Sequence, residues 1–93
     1  MNPDLTSVWK RRADVRYRRV EGEAVVLRQS AAEVLVLNEI GAAVLDLADG
    51  AHRVSDWVNA LDGEYDVDKE TLTRDLLEFA AELEHAGLLE RVK

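Results

Sequence analysis

The side chains that most often carry catalysis are few in this 93-residue chain and stand far apart. The chain has no cysteine, which excludes disulfides, thiolate metal sites and cysteine nucleophiles. Its two histidines, His52 and His85, are remote in sequence, and neither stands in a metal-binding spacing such as H-x-x-x-H. The five glycines occur singly, so there is no phosphate-binding loop. We therefore predict a protein that is not an enzyme and that uses no metal or cofactor.

Two other patterns resemble catalytic ones and are better explained as surface features. Glu78 and Glu82 are one helical turn apart, a spacing that a general acid and base can use, but they fit a solvated helix face. The serines at positions 7, 30 and 55 lack the G-x-S-x-G setting of a serine hydrolase. Neither pattern supports an active site.

The charges divide the chain into a basic first third and an acidic remainder. Residues 1–28 contain seven basic and four acidic residues, whereas residues 29–93 contain five basic and fifteen acidic residues. The net charge of −7 disfavours phosphate binding, so we predict no nucleic-acid partner. The basic residues form either a solvated strand face or a surface that orients a charged partner.

The length and hydropathy of the chain allow one domain and no membrane span. Residues 1–12 lack the apolar stretch of a signal peptide, and we expect a cytoplasmic protein with no membrane partner. The same residues contain the only proline and no periodic pattern. We therefore predict a mobile N-terminal arm at residues 1–12 and a single domain at residues 13–93.

Three short runs in the first half of the chain have the composition and alternation of β-strands. In residues 14–20, apolar residues alternate with arginines, and residues 21 and 22 (Glu-Gly) form a candidate tight turn. The runs Glu23–Arg28 and Glu33–Leu37 are rich in β-branched residues and leucine and are joined by a short loop. Consecutive strands with short connections favour an antiparallel meander.

The second half changes to the helical period. Asn38 is a good N-cap for a first helix that ends near Gly50, and Ser55 is a candidate N-cap for a short second helix. Asp68 can begin a longer third helix, which Gly87 terminates. Three strands followed by three helices predict an α+β fold with a three-stranded antiparallel sheet.

The third predicted strand, Glu33–Leu37, is an outer strand of such a meander. It has no proline and no lysine, the residues that usually protect an edge, and a single glutamate is its only charge. Its side chains alternate, with Leu35 and Leu37 on one face and Val34 and Val36 on the other. An unprotected edge is either an aggregation hazard or a docking site.

Residues 26–90 resemble the PqqD family of small peptide chaperones, also described as recognition elements for ribosomally made, post-translationally modified peptides. Three stretches carry the resemblance: LVLNEIGAAVLDLADG (residues 35–50), RVSDWVNAL (residues 53–61) and DLLEFAAELEHAGLLE (residues 75–90). The family often has a proline in its second loop, where this chain has QSAA at residues 29–32.

The resemblance implies a winged helix-turn-helix-like fold and a non-catalytic role in peptide natural product biosynthesis. In that family the leader segment of a precursor peptide adds as a strand to the third strand and fills the groove beside the third helix. The implied partners are therefore the leader region of a precursor peptide and the peptide-modifying enzyme that receives it. That enzyme is a radical-SAM enzyme, a cyclase or a leader peptidase.

On this interpretation the third strand and the third helix supply the peptide-binding residues. For each helix position, core packing or solvation is the alternative to contact with a leader. The predicted peptide-binding residues are Glu33, Val34, Leu35, Val36, Leu37, Leu72, Asp75, Leu76, Phe79, Glu82 and Leu83.

A winged-helix DNA-binding or regulatory protein is the alternative function, because three helices and a small sheet also describe that class. Its third helix would then enter the DNA groove. Between Thr71 and His85, however, Arg74 is the only basic residue, and acidic residues would repel the phosphates. A structural or assembly subunit of a larger enzyme is the remaining alternative.

Overall fold

The computed structural model describes residues 3–92, which form two three-stranded antiparallel sheets and three helices. The strands are β1 (Val8–Arg11), β2 (Val15–Val20), β3 (Glu23–Arg28), β4 (Glu33–Leu37), β5 (Asp49–Arg53) and β6 (Leu89–Val92). The helices are α1 (Glu39–Leu47), α2 (Val54–Leu61) and α3 (Lys69–His85). The predicted α+β class and the predicted order of three helices after the meander are confirmed.

The predicted meander is present as β2, β3 and β4, which we refer to as the meander sheet. Glu21 and Gly22 join its first two strands with φ angles of +52° and +94°, as the two-residue type I′ turn of a hairpin requires. A short 3₁₀ turn, Gln29–Ala31, joins β3 to β4. These local connections hold the three strands in continuous antiparallel register.

The segment predicted to be a mobile arm instead contains β1, the central strand of a second sheet with the order β5-β1-β6. The side chain of Trp9 anchors β1, because it is completely buried and its ring centroid lies 5.9 Å from that of Trp57. Its Nε1–H donates to Glu84 Oε1 at 2.7 Å. The arm prediction was therefore wrong for residues 8–11; residues 1 and 2 lie outside the described residues.

Strands β5 and β6 were also not predicted. Each is short and carries charged residues, with the sequences DGAHR and LERV, so neither shows the alternation of a half-buried strand. The start of α2 differs from the prediction as well. The helix begins at Val54, and the N–H of Arg53 donates to Asp56 Oδ2 at 2.9 Å, so Ser55 is not its N-cap.

Side chains from both sheets and all three helices form one hydrophobic core. Polar contacts also attach α1 to the meander sheet, because the O–H of Tyr17 donates to Asp46 Oδ1 at 2.6 Å and Arg19 pairs with the same carboxylate. Burial, together with the hydrogen bond to Asp46, raises the pKa of Tyr17 to about 12. Tyr17 therefore stays protonated and donates at neutral pH.

Asn38→Ala is expected to lower the free energy of unfolding by about 1 kcal/mol. Asn38 Oδ1 accepts from the N–H of Gly41 at 2.9 Å at the junction of β4 and α1, as the predicted N-cap requires. Asn38→Gly is the matched control and should cost only roughly a few tenths of a kcal/mol. Urea unfolding measures both variants, and equal losses would contradict the capping role.

Candidate functional site

The strand β4 is an edge of the meander sheet. Within the described part of the chain its one paired neighbour is β3, because the strand order is β2-β3-β4. The sequence prediction that Glu33–Leu37 is an outer strand is thus confirmed. One side of its backbone is open to another strand.

The register of the hairpin determines which backbone groups of β3 face β4. Because the turn between β2 and β3 has two residues, Val20 and Glu23 form a hydrogen-bonded pair, and such pairs alternate along the hairpin. The N–H of Gln29 donates to the carbonyl of Asp14 at 2.9 Å, in agreement with this alternation. The even-numbered residues of β3 therefore direct their backbone groups towards β4.

On β4 the partners of those even-numbered residues are Glu33, Leu35 and Leu37, so the backbone groups of these three bond to β3. The N–H and C=O groups of Val34 and Val36 consequently point towards the open edge. The two residues are 65% and 63% exposed, and their side chains lie on the face of the sheet away from the core. These two residues offer two donors and two acceptors to an added strand.

The beginning of β4 lies beside the end of α3, because Arg28 connects the two. Arg28 Nη1 is 3.3 Å from Glu33 Oε1, which forms an ion pair across the β3–β4 connection. The Arg28 guanidinium also packs on Gly87, where an added Cβ would lie 2.8 Å from Cζ. Gly87 has a φ of +82°, so both its backbone conformation and its contact with Arg28 favour glycine.

The helix α3 has a buried stripe with a different flank on each side. The buried stripe consists of Leu72, Leu76, Ala80 and Leu83. One flank lines an apolar depression with α2 and includes Thr73 and Leu77. The other flank lies away from this depression; α3 also contacts α1, which itself packs on β3 and β4. We refer to Asp75, Phe79 and Glu82, which share this second flank, as the acidic flank.

The structure separates the predicted helix residues into two groups. Leu72, Leu76 and Leu83 are buried in the core, with at most 5% of their surface exposed. Asp75 and Phe79 are half-buried and Glu82 is exposed, so the acidic flank keeps the helix positions that a ligand can reach. The sequence predicted all six of these helix positions as peptide-binding, and only the packing separates the buried positions from the accessible ones.

The outer face of β3 was not among the predicted peptide-binding positions. Val25 and Leu27 are 39% and 38% exposed there, directly opposite Val36 and Val34 of β4. The signal that would have found them is the period of two in EAVVLR, which places both on the face opposite the buried Ala24.

Neither histidine lies in a cluster suited to metal binding. His52 Nδ1 lies 2.7 Å from Asp49 Oδ2, and His85 is in the last turn of α3. Among residues 3–92, no group of three or more His, Asp or Glu side chains is placed to hold a metal ion. No helix in this range is long and apolar enough to cross a membrane. What the site offers is backbone hydrogen bonds, apolar contacts and carboxylates.

Known proteins are similar to this chain in sequence and in fold. The family model for coenzyme PQQ synthesis protein D (PqqD) matches residues 23–89. A chain of the structure of TbiB1 in complex with the TbiA(beta) leader peptide is 30% identical, with 87% of this chain and 94% of that chain covered and a TM-score of 0.78.

Two further solved structures have the same fold. The PqqD truncation of Methylobacterium extorquens PqqCD, described as a functional, stand-alone recognition element for ribosomally synthesized and modified peptides, is 30% identical. The match covers 96% of this chain and 95% of that chain, with a TM-score of 0.78. Lasso peptide synthetase B1, complexed with its leader peptide, is 21% identical over 88% of this chain and 96% of that chain, with a TM-score of 0.77. No curated protein sequence matches the chain.

Proposed function

Because the chain belongs to the PqqD family, we propose that it is a non-catalytic peptide chaperone that binds the leader segment of a ribosomally made precursor peptide. The leader adds as a fourth strand at the open edge of β4. The observation that carries this proposal is the outward direction of the backbone groups of Val34 and Val36. The structure of the similar TbiB1, which holds a leader peptide, supports it.

The added strand lies between β4 and the acidic flank of α3. Its backbone supplies affinity through hydrogen bonds to Val34 and Val36, and its alternate side chains supply specificity. Side chains that turn inwards meet the half-buried Leu35 and Leu37 and the ring of Phe79. Such β-augmentation needs no catalytic group, which fits a small binding module.

The loaded protein presents the leader to a peptide-modifying enzyme, namely a radical-SAM enzyme, a cyclase or a leader peptidase. The protein therefore takes part in peptide natural product biosynthesis without a cofactor of its own. Its predicted cytoplasmic location stays a prediction. The stand-alone function described for the PqqD truncation from Methylobacterium extorquens supports a module that binds without being fused to its enzyme.

Peptides selected from a displayed random library test this function without knowledge of the cognate leader. Isotope-labelled protein is titrated with the enriched peptides, and the amide shifts are mapped. We expect the largest shifts at Glu33–Leu37 and at the acidic flank. Absence of enriched peptides, or shifts confined to the depression between α2 and α3, would overturn the proposal.

Charge reversal on the acidic flank is expected to weaken the binding of peptides that carry lysine or arginine. Asp75→Arg and Glu82→Arg should each lower the affinity roughly two- to fivefold, with a smaller loss at high salt, because exposed charge pairs are weak and screened. Glu70→Arg is the matched control on the other flank of α3 and should leave affinity unchanged. Fluorescence anisotropy at two salt concentrations measures this, and an equal loss in Glu70→Arg would count against the assigned flank.

A further inference from the structure

The face of the meander sheet that lies away from the core is apolar beside the open edge. Val25 lies directly opposite Val36, and Leu27 lies directly opposite Val34. Directly opposed side chains of antiparallel strands are about 4.5–5.5 Å apart at Cβ, so the four form one aliphatic surface. We refer to these four residues as the edge patch.

The edge patch is open on the side where a further strand would pair. The two residues of the patch on β4 are 65% and 63% exposed, and the two on β3 are 39% and 38% exposed. The β4 residues are more exposed because, among residues 3–92, no strand pairs with the outer side of β4. Arginines occupy the same face on β2, at the opposite side of the sheet. The uncovered apolar surface is therefore greatest at the edge itself.

We propose that the edge patch is a second subsite for the leader peptide, which binds apolar side chains on the outward face of the added strand. This inference rests on the proposed function, since only a strand paired with β4 brings side chains to this position. Leader residues opposite Val34 and Val36 lie on the same face as these valines. β-Branched and aromatic residues fit there, because they form the most favourable pairs with valine across strands.

The protein therefore contacts side chains on both faces of the leader strand. Its inward side chains meet Leu35, Leu37 and the acidic flank, and its outward side chains meet the edge patch. A strand that pairs with a half-exposed sheet normally alternates apolar and polar residues. The leader segment that pairs with β4 instead carries apolar residues on both faces, and any basic residue it has on the inward face meets the acidic flank.

A second copy of the chain is a poorer occupant of the edge patch. A stable interface buries roughly 800 Å² on each partner, which four aliphatic side chains do not supply. Each copy would also bring a net charge of −7, which opposes association. An added strand needs less apolar area, because its backbone hydrogen bonds contribute to the affinity.

Selection from a displayed random peptide library tests the second subsite. The parent protein should enrich peptides with apolar residues at both sets of alternating positions. In peptides selected by Val36→Glu, lysine or arginine should become at least about fivefold more frequent at one outward position. The residues selected at the inward positions should not change. Val20→Glu is the matched control, because Val20 lies on the same face of β2 and is 44% exposed. Val20→Glu should select peptides with the same residue preferences as the parent protein.

Val36→Thr keeps the shape of valine and provides a second test if the Val36→Glu variant binds no peptide. It should weaken a parent-selected peptide roughly two- to fivefold. An unchanged outward preference in Val36→Glu, or unchanged affinity in Val36→Thr, would overturn the second subsite and leave strand addition standing. If a folded Val36→Pro variant enriches the parent's peptides, the proposed function fails as well.

Discussion

Val36→Pro is expected to lower the affinity for a leader peptide by at least about tenfold and to leave the fold intact. The N–H of Val36 points towards the open edge, so proline removes a donor that the added strand uses and β3 does not. Proline is tolerated on an edge strand when its missing N–H faces outwards. Leu35→Pro is expected to disrupt the fold, because the N–H of Leu35 bonds to Val26 within the sheet.

Circular dichroism and anisotropy with a labelled library-selected peptide separate these outcomes. Val36→Ala is the matched control, since it shortens the same side chain and keeps the N–H. The proline variant should show the parent's spectrum and lose binding, whereas Leu35→Pro should lose sheet structure. A folded Val36→Pro that binds as tightly as Val36→Ala would show that strand addition at this edge is wrong.

Trp9→Ala is expected to lower the free energy of unfolding by about 3–5 kcal/mol, the cost of removing a large buried aromatic side chain. The variant loses the ring contact with Trp57 and the hydrogen bond to Glu84. Because domains of this kind are stable by only about 5–15 kcal/mol, much of the protein should unfold under mild conditions. Trp9→Phe keeps an aromatic ring in the core and should lower the free energy of unfolding by less.

Urea unfolding followed by circular dichroism measures the Trp9 variants without relying on tryptophan fluorescence. Leu5→Ala serves as the control from the same N-terminal segment, because Leu5 is 45% exposed and should change stability little. A loss in Trp9→Ala as small as that in Leu5→Ala would mean that β1 contributes little to the fold, as the mobile-arm prediction required.

The sequence predicted the parts of the fold that depend on neighbours along the chain. The meander follows from local alternation and from the Glu21-Gly22 turn, and the caps Asn38 and Asp68 carry side-chain acceptors that are visible in the sequence. The second sheet depends on pairs such as Val8 with Val92, which no local pattern reveals. Short strands with charged residues gain their structure from such remote partners.

The candidate site was predictable to a similar extent. The edge character of β4 was visible in the sequence, but the choice between Val36 and Leu35 as the outward donor needed the hairpin register. The apolar stripe of α3 was also visible, yet only the packing shows that Leu76 lies in the core while Phe79 stays accessible. Periodicity gives the face of a helix, and tertiary contacts determine which residues on it remain free.

Amide hydrogen exchange at Val34 and Val36 tests the central claim most directly, because it reports the two N–H groups that an added strand would use. In the free protein both amides should exchange rapidly, while those of Leu35 and Leu37, which bond to β3, are protected. Addition of a saturating library-selected peptide should slow exchange at Val34 and Val36 by at least about tenfold. Unchanged exchange at both amides in the peptide-saturated protein would contradict strand addition at β4.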